Sequence, residues 1–175
     1  EVGYIARELK RLGVSATNFY ASPLDLLQHP HPLEATFRIA YEACAVEGVS
    51  FRARGLATTS QTRAALKHDP DILKRLSALG LHTIAFGVDA ISKKTCREQA
   101  KGHNSMAAYE HCREACEAAG IQVEMLIVVG FPQEPWRDRL ATIRACLEEE
   151  YRHHVTVRPY LAKMYMPGGD IWETD

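Results

Sequence analysis

The sequence predicts an α/β protein built on parallel strands, because helical and strand patterns alternate along almost its whole length. Two of the strand patterns, GLHTIAFGVDA at 80–90 and AGIQVEMLIVVGFPQEP at 119–135, share a further feature. Each opens with a helix-ending glycine, runs through an apolar strand and stops at a glycine close to an acidic residue. Parallel β/α proteins bind ligands at the carboxyl ends of their strands, so these two endings indicate where a site lies.

A weak internal repeat supports the same fold class. Four helical stretches end in glycine, at Gly13, Gly48, Gly80 and Gly120, and an aliphatic strand begins directly after each. Glycine suits this position because the residue after a helix commonly adopts the left-handed conformation. Repeats of about 30 to 40 residues fit one strand and one helix each. We predict helices at 1–12, 32–47, 69–79, 104–119 and 136–150, and strands at 14–21, 49–57, 81–89, 121–130 and 154–161.

The alternation of side chains along each strand predicts a partial, open (β/α) barrel, similar to a TIM barrel with fewer strands. Bulky apolar residues on one face are expected to pack against helices, and the other face lines a lumen. In strand 81–89 the predicted outer face is His82, Ile84, Phe86 and Val88, and the lumen face is Leu81, Thr83, Ala85, Gly87 and Asp89. Across the strands, the polar residues predicted to face the lumen are Arg52, Arg54, Asp89, Glu124, Arg158 and Tyr160.

So polar a lumen indicates a binding function, because buried charge must be paired or bound to a ligand. The predicted substrate-binding residues are Arg52, Glu124, Arg158 and Tyr160. At least one of the arginines should pair with Glu124 or Asp89. An Arg–Glu network that serves only the fold would give the same pattern, so that alternative stays open.

Composition excludes some partners. The chain has 175 residues, a hydrophobic fraction of 46% and a net charge of −1, which fit one ordinary soluble domain. Charges of both signs are mixed along the chain, so nothing points to nucleic acid or an acidic membrane surface. The longest apolar stretch, 125–129, is far shorter than the roughly 20 residues of a membrane span.

The cysteines favour a reduced, cytoplasmic setting. They are five in number, which is odd, and most lie on helical patterns: Cys44, Cys96, Cys112, Cys116 and Cys146. Cys112 and Cys116 share one helical stripe with Ala108 and Ala119, so we interpret them as small buried residues.

Four segments taken in order resemble one enzyme family. AFGVDA at 85–90 is similar to a strand ending Gly-Val-Glu-Ser, and KGHN at 101–104 to the Lys-Gly-His turn that follows it. VVGFPQE at 128–134 is similar to a strand ending Gly-Leu-Pro-Gly-Glu, and VTVRPYLAKMYMPGG at 155–169 to a last strand followed by a Pro-Gly turn. This order resembles the second half of the core barrel of radical S-adenosylmethionine (radical SAM) enzymes. The resemblance covers nearly the whole chain and is most specific over 80–169.

The resemblance implies roles for the matched positions. It places Asp89 where a carboxylate could accept hydrogen bonds from the SAM ribose. It places Gly130 and Val128 against the adenine, and Arg54 at a basic position of the family's third strand. The full set implied to bind SAM is Arg54, Gly87, Asp89, Val128, Gly130, Leu161 and Ala162. Close packing alone would also explain strand glycines such as Gly87.

The family's cluster motif is absent from this sequence. Radical SAM enzymes hold a [4Fe–4S] cluster through a CxxxCxxC run, whereas this chain begins with a helical pattern and offers only CREAC at 112–116. We therefore expect residues 1–175 to form an incomplete radical SAM core, with the first strand and the cluster loop upstream. No residue of this chain is predicted to bind metal, so the complete parent would supply the cluster and receive electrons from a donor.

A second departure concerns the methionine end of SAM. Many members carry Gly-Gly-Glu after the second strand, where this chain has YASPLDL at 20–26. Members with an upstream cobalamin-binding domain often lack that segment too. The resemblance therefore admits cobalamin as a further cofactor, and methyl or methylthio transfer as the chemistry, on a substrate that the sequence does not identify.

Two other functions fit parts of the sequence. A metal-independent (β/α) barrel lyase or aldolase could hold a phosphorylated substrate through Arg52, Arg54 and Arg158. Against it, no strand ends in a lysine placed to form a Schiff base, and no glycine-rich phosphate loop precedes a helix. A non-enzymatic interaction domain is the other alternative, and the polar lumen argues against it.

Overall fold

The computed structural model describes residues 2–21, 25–92, 94, 105–131 and 134–161. The helices in these ranges are α1 (Val2–Arg11), α2 (Pro30–Glu47), α3 (Thr59–His68), α4 (Ile72–Ala78), α5 (Met106–Ala118) and α6 (Trp136–His153). The strands are β1 (Ala16–Ala21), β2 (Ser50–Ala57), β3 (Leu81–Asp89), β4 (Gln122–Val129) and β5 (Thr156–Leu161). The segment 101–104, Cys96 and Ala162 lie outside the described residues. None of the helices found in these ranges has the length and apolar character needed to span a membrane.

The five strands form one parallel sheet in the order β1-β2-β3-β4-β5. The sheet curls into a half-barrel with helices on its outer side. Parallel neighbours require a crossover through a helix, which the α2, α3–α4, α5 and α6 segments provide. The predicted fold class is confirmed, including the pairing of consecutive strands. Because the strands are parallel, their carboxyl ends all meet at one edge.

The hydrophobic core lies between the sheet and the helices. Phe86 of β3 and Met125 and Ile127 of β4 are fully buried. Phe86 packs edge-on against Tyr109 of α5, with ring centroids 6.1 Å apart. Each such side chain stabilises the fold by about 1.5–3 kcal/mol on burial. In β3, Ile84, Phe86 and Val88 are buried, which confirms three of the four residues of its predicted outer face.

The predicted helix ends are confirmed. The four glycines have positive φ angles: Gly13 +74°, Gly48 +71°, Gly80 +96° and Gly120 +72°. The fifth junction, between α6 and β5, has no glycine in the sequence. There His154 adopts the left-handed conformation itself, with φ 53°, and the N–H of the next residue, Val155, donates to the carbonyl of Glu149 at 3.1 Å.

One helix was not predicted. The sequence predicts a strand at 49–57 and a helix at 69–79, with no element between them. In the structure, α3 occupies Thr59–His68, and α4 is the shorter Ile72–Ala78. Thr58 begins α3, because its hydroxyl accepts a hydrogen bond from the N–H of Gln61 at 3.3 Å. The buried face of α3 consists of threonine and alanine, so it carries no periodic pattern of large apolar residues.

A register shift in β3 corrects two of the predicted side-chain directions. Ala53 of β2 pairs with Leu81, but the next residue, Arg54, pairs with Thr83, so His82 is an extra residue. Leu81 therefore lies in the hydrophobic core and His82 is only half-buried, which reverses the faces predicted for them. A single inserted residue has this effect because side chains alternate along a strand.

Candidate functional site

Charged side chains meet on the concave face of the half-barrel. Arg54 of β2 donates from Nη2 to Oε2 of Glu124 on β4 at 2.7 Å. Arg158 of β5 donates to the same carboxylate from the other side, from Nε to Oε2 at 2.9 Å and from Nη2 to Oε1 at 3.2 Å. The prediction that a lumen arginine pairs with Glu124 is confirmed. We call Arg52, Arg54, Glu124 and Arg158 the polar layer.

Burial within the polar layer is uneven. The Glu124 side chain is 9% exposed, whereas those of Arg54 and Arg158 are 38% and 45% exposed. A carboxylate this buried would be costly without partners, and the two guanidinium groups supply them. Its hydrogen bond to Arg158 raises the pKa of that guanidinium above its usual value. The arginines thus stabilise the carboxylate while keeping part of their own surface accessible.

Arg52 is the member of the polar layer that stays apart from Glu124. It lies two residues before Arg54 on the same face of β2, is exposed, and forms no ion pair among the described residues. Its charge acts on His82, the extra residue of β3. Burial, and next the positive charge of Arg52, lower the pKa of His82, so this imidazole is mainly neutral at neutral pH.

Tyr20 also belongs to this face, although the sequence analysis did not select it. It pairs with Arg54 across β1 and β2, and the guanidinium carbon of Arg54 lies 5.8 Å from the centre of its ring. Such a cation–π contact holds the arginine in place. The signal was available in the sequence, because Tyr20 occupies the lumen phase of β1, on the face opposite Phe19.

A second group of candidate residues lies at the carboxyl ends of β3, β4 and β5. We call this group the strand-end rim; its described members are Gly87, Asp89, Val128, Gly130, Tyr160 and Leu161. Tyr160 is paired with Val128 and is 53% exposed, and Leu161 is 79% exposed. Val128 packs against Ala90 and Phe131. The rim therefore combines apolar surface with one carboxylate.

The backbone of the rim is unusual at two positions. Asp89 has φ 61°, in a tight turn where the N–H of Ala90 donates to the carbonyl of Val88 at 2.8 Å. Gly130 has φ +83°, and no heavy atom of the described residues lies within 4 Å of where its Cβ would be. Left-handed backbone outside glycine is uncommon and concentrates at functional sites. The predicted arrangement, with Asp89 and Gly130 at the same end of the sheet, is confirmed.

The polar layer and the rim occupy different heights in the lumen. Glu124 pairs with Ala85 and Thr156, near the start of β4, and Val128 lies four residues further along that strand. At about 3.3 Å per residue, the two levels are about 13 Å apart along β4, and Gly130 is about 20 Å from Glu124. The predicted site residues thus form two zones. Arg54, predicted to bind SAM, lies in the lower one, and Tyr160, predicted to bind substrate, lies in the upper one.

A buried aspartate, Asp25, lies at the carboxyl ends of β1 and β2. The carboxylate of Asp25 accepts hydrogen bonds from the N–H of Leu27 at 3.1 Å and from the N–H of Thr58 at 3.0 Å, and also from the Thr58 hydroxyl. It thereby joins the loop after β1 to the start of α3. Sequence reasoning missed this role because the main partner is far away in the chain. At 8% exposure Asp25 is a structural link.

The acidic end of the VVGFPQE segment lies on the outer side of the sheet. The Glu134 side chain is 3% exposed, and burial raises its pKa. Arg139 Nε lies 4.0 Å from its Oε2. Both residues line a cavity of about 440 Å³ between α6 and the outer face of β4 and β5. Glu134 therefore does not face the lumen.

The described cysteines are poor candidates for cluster ligands. Cys112 and Cys116 are fully buried, as predicted, and the Cys112 thiol donates to the carbonyl of Thr59 at 3.5 Å. Burial raises the pKa of Cys112 to about 11 and raises the pKa values of Cys44, Cys116 and Cys146 as well. These thiols are therefore protonated at neutral pH in this fold. Over the described ranges no three histidine, cysteine or acidic residues converge as a metal site.

Comparison with known proteins gives matches among solved structures alone, since no family model and no curated protein matches the sequence. Elp3 from the archaeon Methanocaldococcus infernus, with an N-terminal deletion, superposes with a TM-score of 0.69 at 10% identity over 98% of this chain and 43% of that one. The methyltransferase TsrM from Kitasatospora setae, titled a radical S-adenosylmethionine enzyme with cobalamin and a [4Fe–4S] cluster bound, gives 0.62 at 17% identity over 94% of this chain and 31% of that one. Coproporphyrinogen III oxidase (HemN) from Escherichia coli, titled a radical SAM enzyme, gives 0.58 at 11% identity over 94% and 36%.

The fold is similar to that of solved radical SAM enzymes. At these identities the likeness concerns the fold, and it agrees with the resemblance found in the sequence. This chain spans less than half the length of each of these proteins. The half-barrel of this chain superposes on part of each of these proteins. In this chain it carries the polar layer and the strand-end rim.

Proposed function

We propose that residues 1–175 form part of a radical SAM enzyme core, in which the strand-end rim binds the nucleoside end of SAM. The observation that carries this proposal is the position of Asp89 and Gly130. Both have left-handed backbone, and they end neighbouring parallel strands at the edge where such proteins bind ligands. The radical SAM-like fold supports the choice of ligand.

The rim residues fit the parts of a nucleoside. The Asp89 carboxylate is an acceptor, which suits ribose hydroxyl groups. Val128 offers apolar surface for the adenine, Leu161 offers backbone groups for its edge, and Gly130 leaves room for close approach to the backbone. Gly87, and Ala162 beyond the described residues, complete the proposed binding set. When bound and reductively cleaved, SAM supplies a deoxyadenosyl radical for reaction with a substrate.

The proposal places the [4Fe–4S] cluster on polypeptide outside this chain. The described thiols do not converge as a cluster site, whereas the reaction class requires a cluster together with an electron donor. Cobalamin and methyl or methylthio transfer remain part of the proposal because of the sequence resemblance. A CxxxCxxC run encoded upstream of Glu1 would support this division of the core.

Replacing Gly130 with alanine tests the nucleoside site. With SAM lying across Gly130 as proposed, an added Cβ would occupy part of its space, so we expect SAM affinity to fall about tenfold, equivalent to about 1.4 kcal/mol. Isothermal titration of SAM into the anaerobically reconstituted full-length protein measures the change. An unchanged dissociation constant would contradict the placement of SAM at Gly130.

Gly120→Ala is the matched control for this experiment. Gly120 also has positive φ, +72° against +83°, and no heavy atom of the described residues within 4 Å of its Cβ position. Both variants should therefore lose similar stability, about 1–2 kcal/mol. Gly120 lies before β4, at the opposite end of the strand from Gly130. Its replacement should leave SAM affinity unchanged.

The proposal also predicts that this chain alone holds no cluster. After anaerobic incubation of residues 1–175 with iron and sulfide, we expect no sulfur-to-iron charge-transfer absorbance on the desalted protein. The reason is that no three of the described cysteines converge on one point, whereas a cluster site needs three thiolates. A stoichiometric cluster would show that the cysteines converge in a way that contradicts this assignment.

A further inference from the structure

The polar layer carries more positive than negative charge. It contains three guanidinium groups and the Glu124 carboxylate, which leaves a surplus of two positive charges. His82 beside it is mainly neutral, because its pKa is lowered. In the described part of the concave face, no second carboxylate pairs with these arginines. A layer that served only the fold would be expected to balance its charges.

The geometry of the polar layer leaves guanidinium N–H groups available to a ligand. Glu124 bridges Arg54 and Arg158 and so holds them on either side of one point. The Tyr20 ring further restrains Arg54. Arg52 projects from the same face of β2, is exposed, and has no carboxylate partner among the described residues. Arginine is the side chain best suited to carboxylate and phosphate, because its planar group donates in two parallel directions.

We propose that the polar layer binds an anionic group of the substrate, a carboxylate or a phosphate, through Arg52 together with Arg54 and Arg158. Glu124 fixes the position of the last two and does not itself contact the anion. Removing charge from such a site weakens anion binding and makes it less dependent on salt.

The position of the layer sets the size of this substrate. Asp89 pairs with Ile127, three residues beyond Glu124, and Gly130 follows β4 six residues beyond it. At about 3.3 Å per residue, the anion would lie about 10–20 Å below these two rim residues. The reacting end must lie near the rim, where the proposed SAM site is; this step rests on the proposed function. The substrate class that fits is therefore an elongated molecule with an anionic group at one end and its reacting carbon at the other.

Titration of simple anions tests the site without knowledge of the substrate. Pyrophosphate and glutarate are each titrated into the full-length protein at low and at physiological salt, so the two arms separate phosphate from carboxylate recognition. For at least one probe, we expect saturable binding that weakens as salt is raised. Arg52→Gln should weaken it about fivefold or more, because this side chain has no structural ion pair to lose.

Arg63→Gln provides the matched control. Arg63 lies on the outer surface, in a groove between α3 and α5 that also contains Lys67 and His111. The charge change is the same, so equal weakening in both variants would show general electrostatic attraction and overturn the proposal. Unchanged binding in Arg52→Gln, or no saturable binding of either probe, would overturn it as well.

A SAM titration in the same variants separates this inference from the proposed function. Arg52→Gln should keep the SAM affinity of the unmodified protein, since Arg52 lies in the lower zone of the lumen. Anion binding that depends on Arg52 in a protein that does not bind SAM would support the anion site and refute the SAM site. The inferred length of the substrate would then lose its basis, because it is measured from the proposed SAM site.

Discussion

Replacing Gly80 with alanine is expected to lower the free energy of unfolding by about 2–5 kcal/mol, the largest effect on stability that we predict. Gly80 lies between α4 and β3 with φ +96°, which disfavours any residue with a Cβ. The added carbon would also lie 2.6 Å from the carbonyl oxygen of Phe51 and 2.8 Å from its ring. Phe51 belongs to β2, in the interior of the sheet, so its backbone cannot move aside easily.

Thermal and denaturant unfolding followed by circular dichroism measure this change. For a chain of this size the expected loss lowers Tm by roughly 5–15 °C. Gly120→Ala again provides the control, because its φ is +72° but its Cβ position is open among the described residues. The difference between the two variants isolates the clash with Phe51. Equal losses in both would show that the sheet adjusts and that φ alone sets the cost.

The features predictable from the sequence are those with a local physical signal. Gly13, Gly48, Gly80 and Gly120 end their segments with positive φ because the conformation after a helix selects glycine wherever it occurs. A parallel sheet follows from the alternation of helices and strands, since neighbouring strands then need a crossover. The pairing of Arg54 and Arg158 with Glu124 was predictable for a similar reason. Alternation places all three on one face, and buried charges need partners.

The features that escaped prediction depend on contacts distant in the chain. The extra residue in β3 is defined only by its pairing with β2, so the sequence around His82 does not reveal it. Asp25 and Thr58 are linked through space, and neither is distinctive in its own segment. Helix α3 also escaped prediction. Its buried residues are threonine and alanine, so they form no apolar stripe in the sequence.

The separation of the site into two zones also needed the register of the strands. The sequence assigns Arg54 to SAM binding because it matches a basic position of the family. The structure places it beside Glu124, on the polar layer, well below the rim. The assignment of Arg54 to SAM therefore stays a prediction, and its geometry agrees better with the anion site.

Removing the carboxylate of Asp89 is expected to weaken SAM binding by about 1.5–3 kcal/mol, or about 10- to 150-fold, the range for a hydrogen bond to a charged group. Alanine is a poor probe by itself, because φ is 61° at this position and Ala would add about 1–2 kcal/mol of backbone strain. Asp89→Gly removes the same carboxylate without that strain. Asp89→Asn keeps an acceptor oxygen and tolerates left-handed backbone, so its loss should be smaller.

Calorimetric titration of SAM into the reconstituted full-length protein measures all three variants, and thermal unfolding in the absence of SAM measures their stability. We expect Asp89→Gly and Asp89→Ala to lose similar SAM affinity, with Tm lower in the alanine variant. Such a result would show that the loss of SAM affinity comes from removing the carboxylate, because both variants lack it. The lower Tm would come from backbone strain, because only the alanine variant has it. If Asp89→Gly binds SAM as tightly as the unmodified protein, Asp89 serves the turn after β3, and the ribose assignment is wrong.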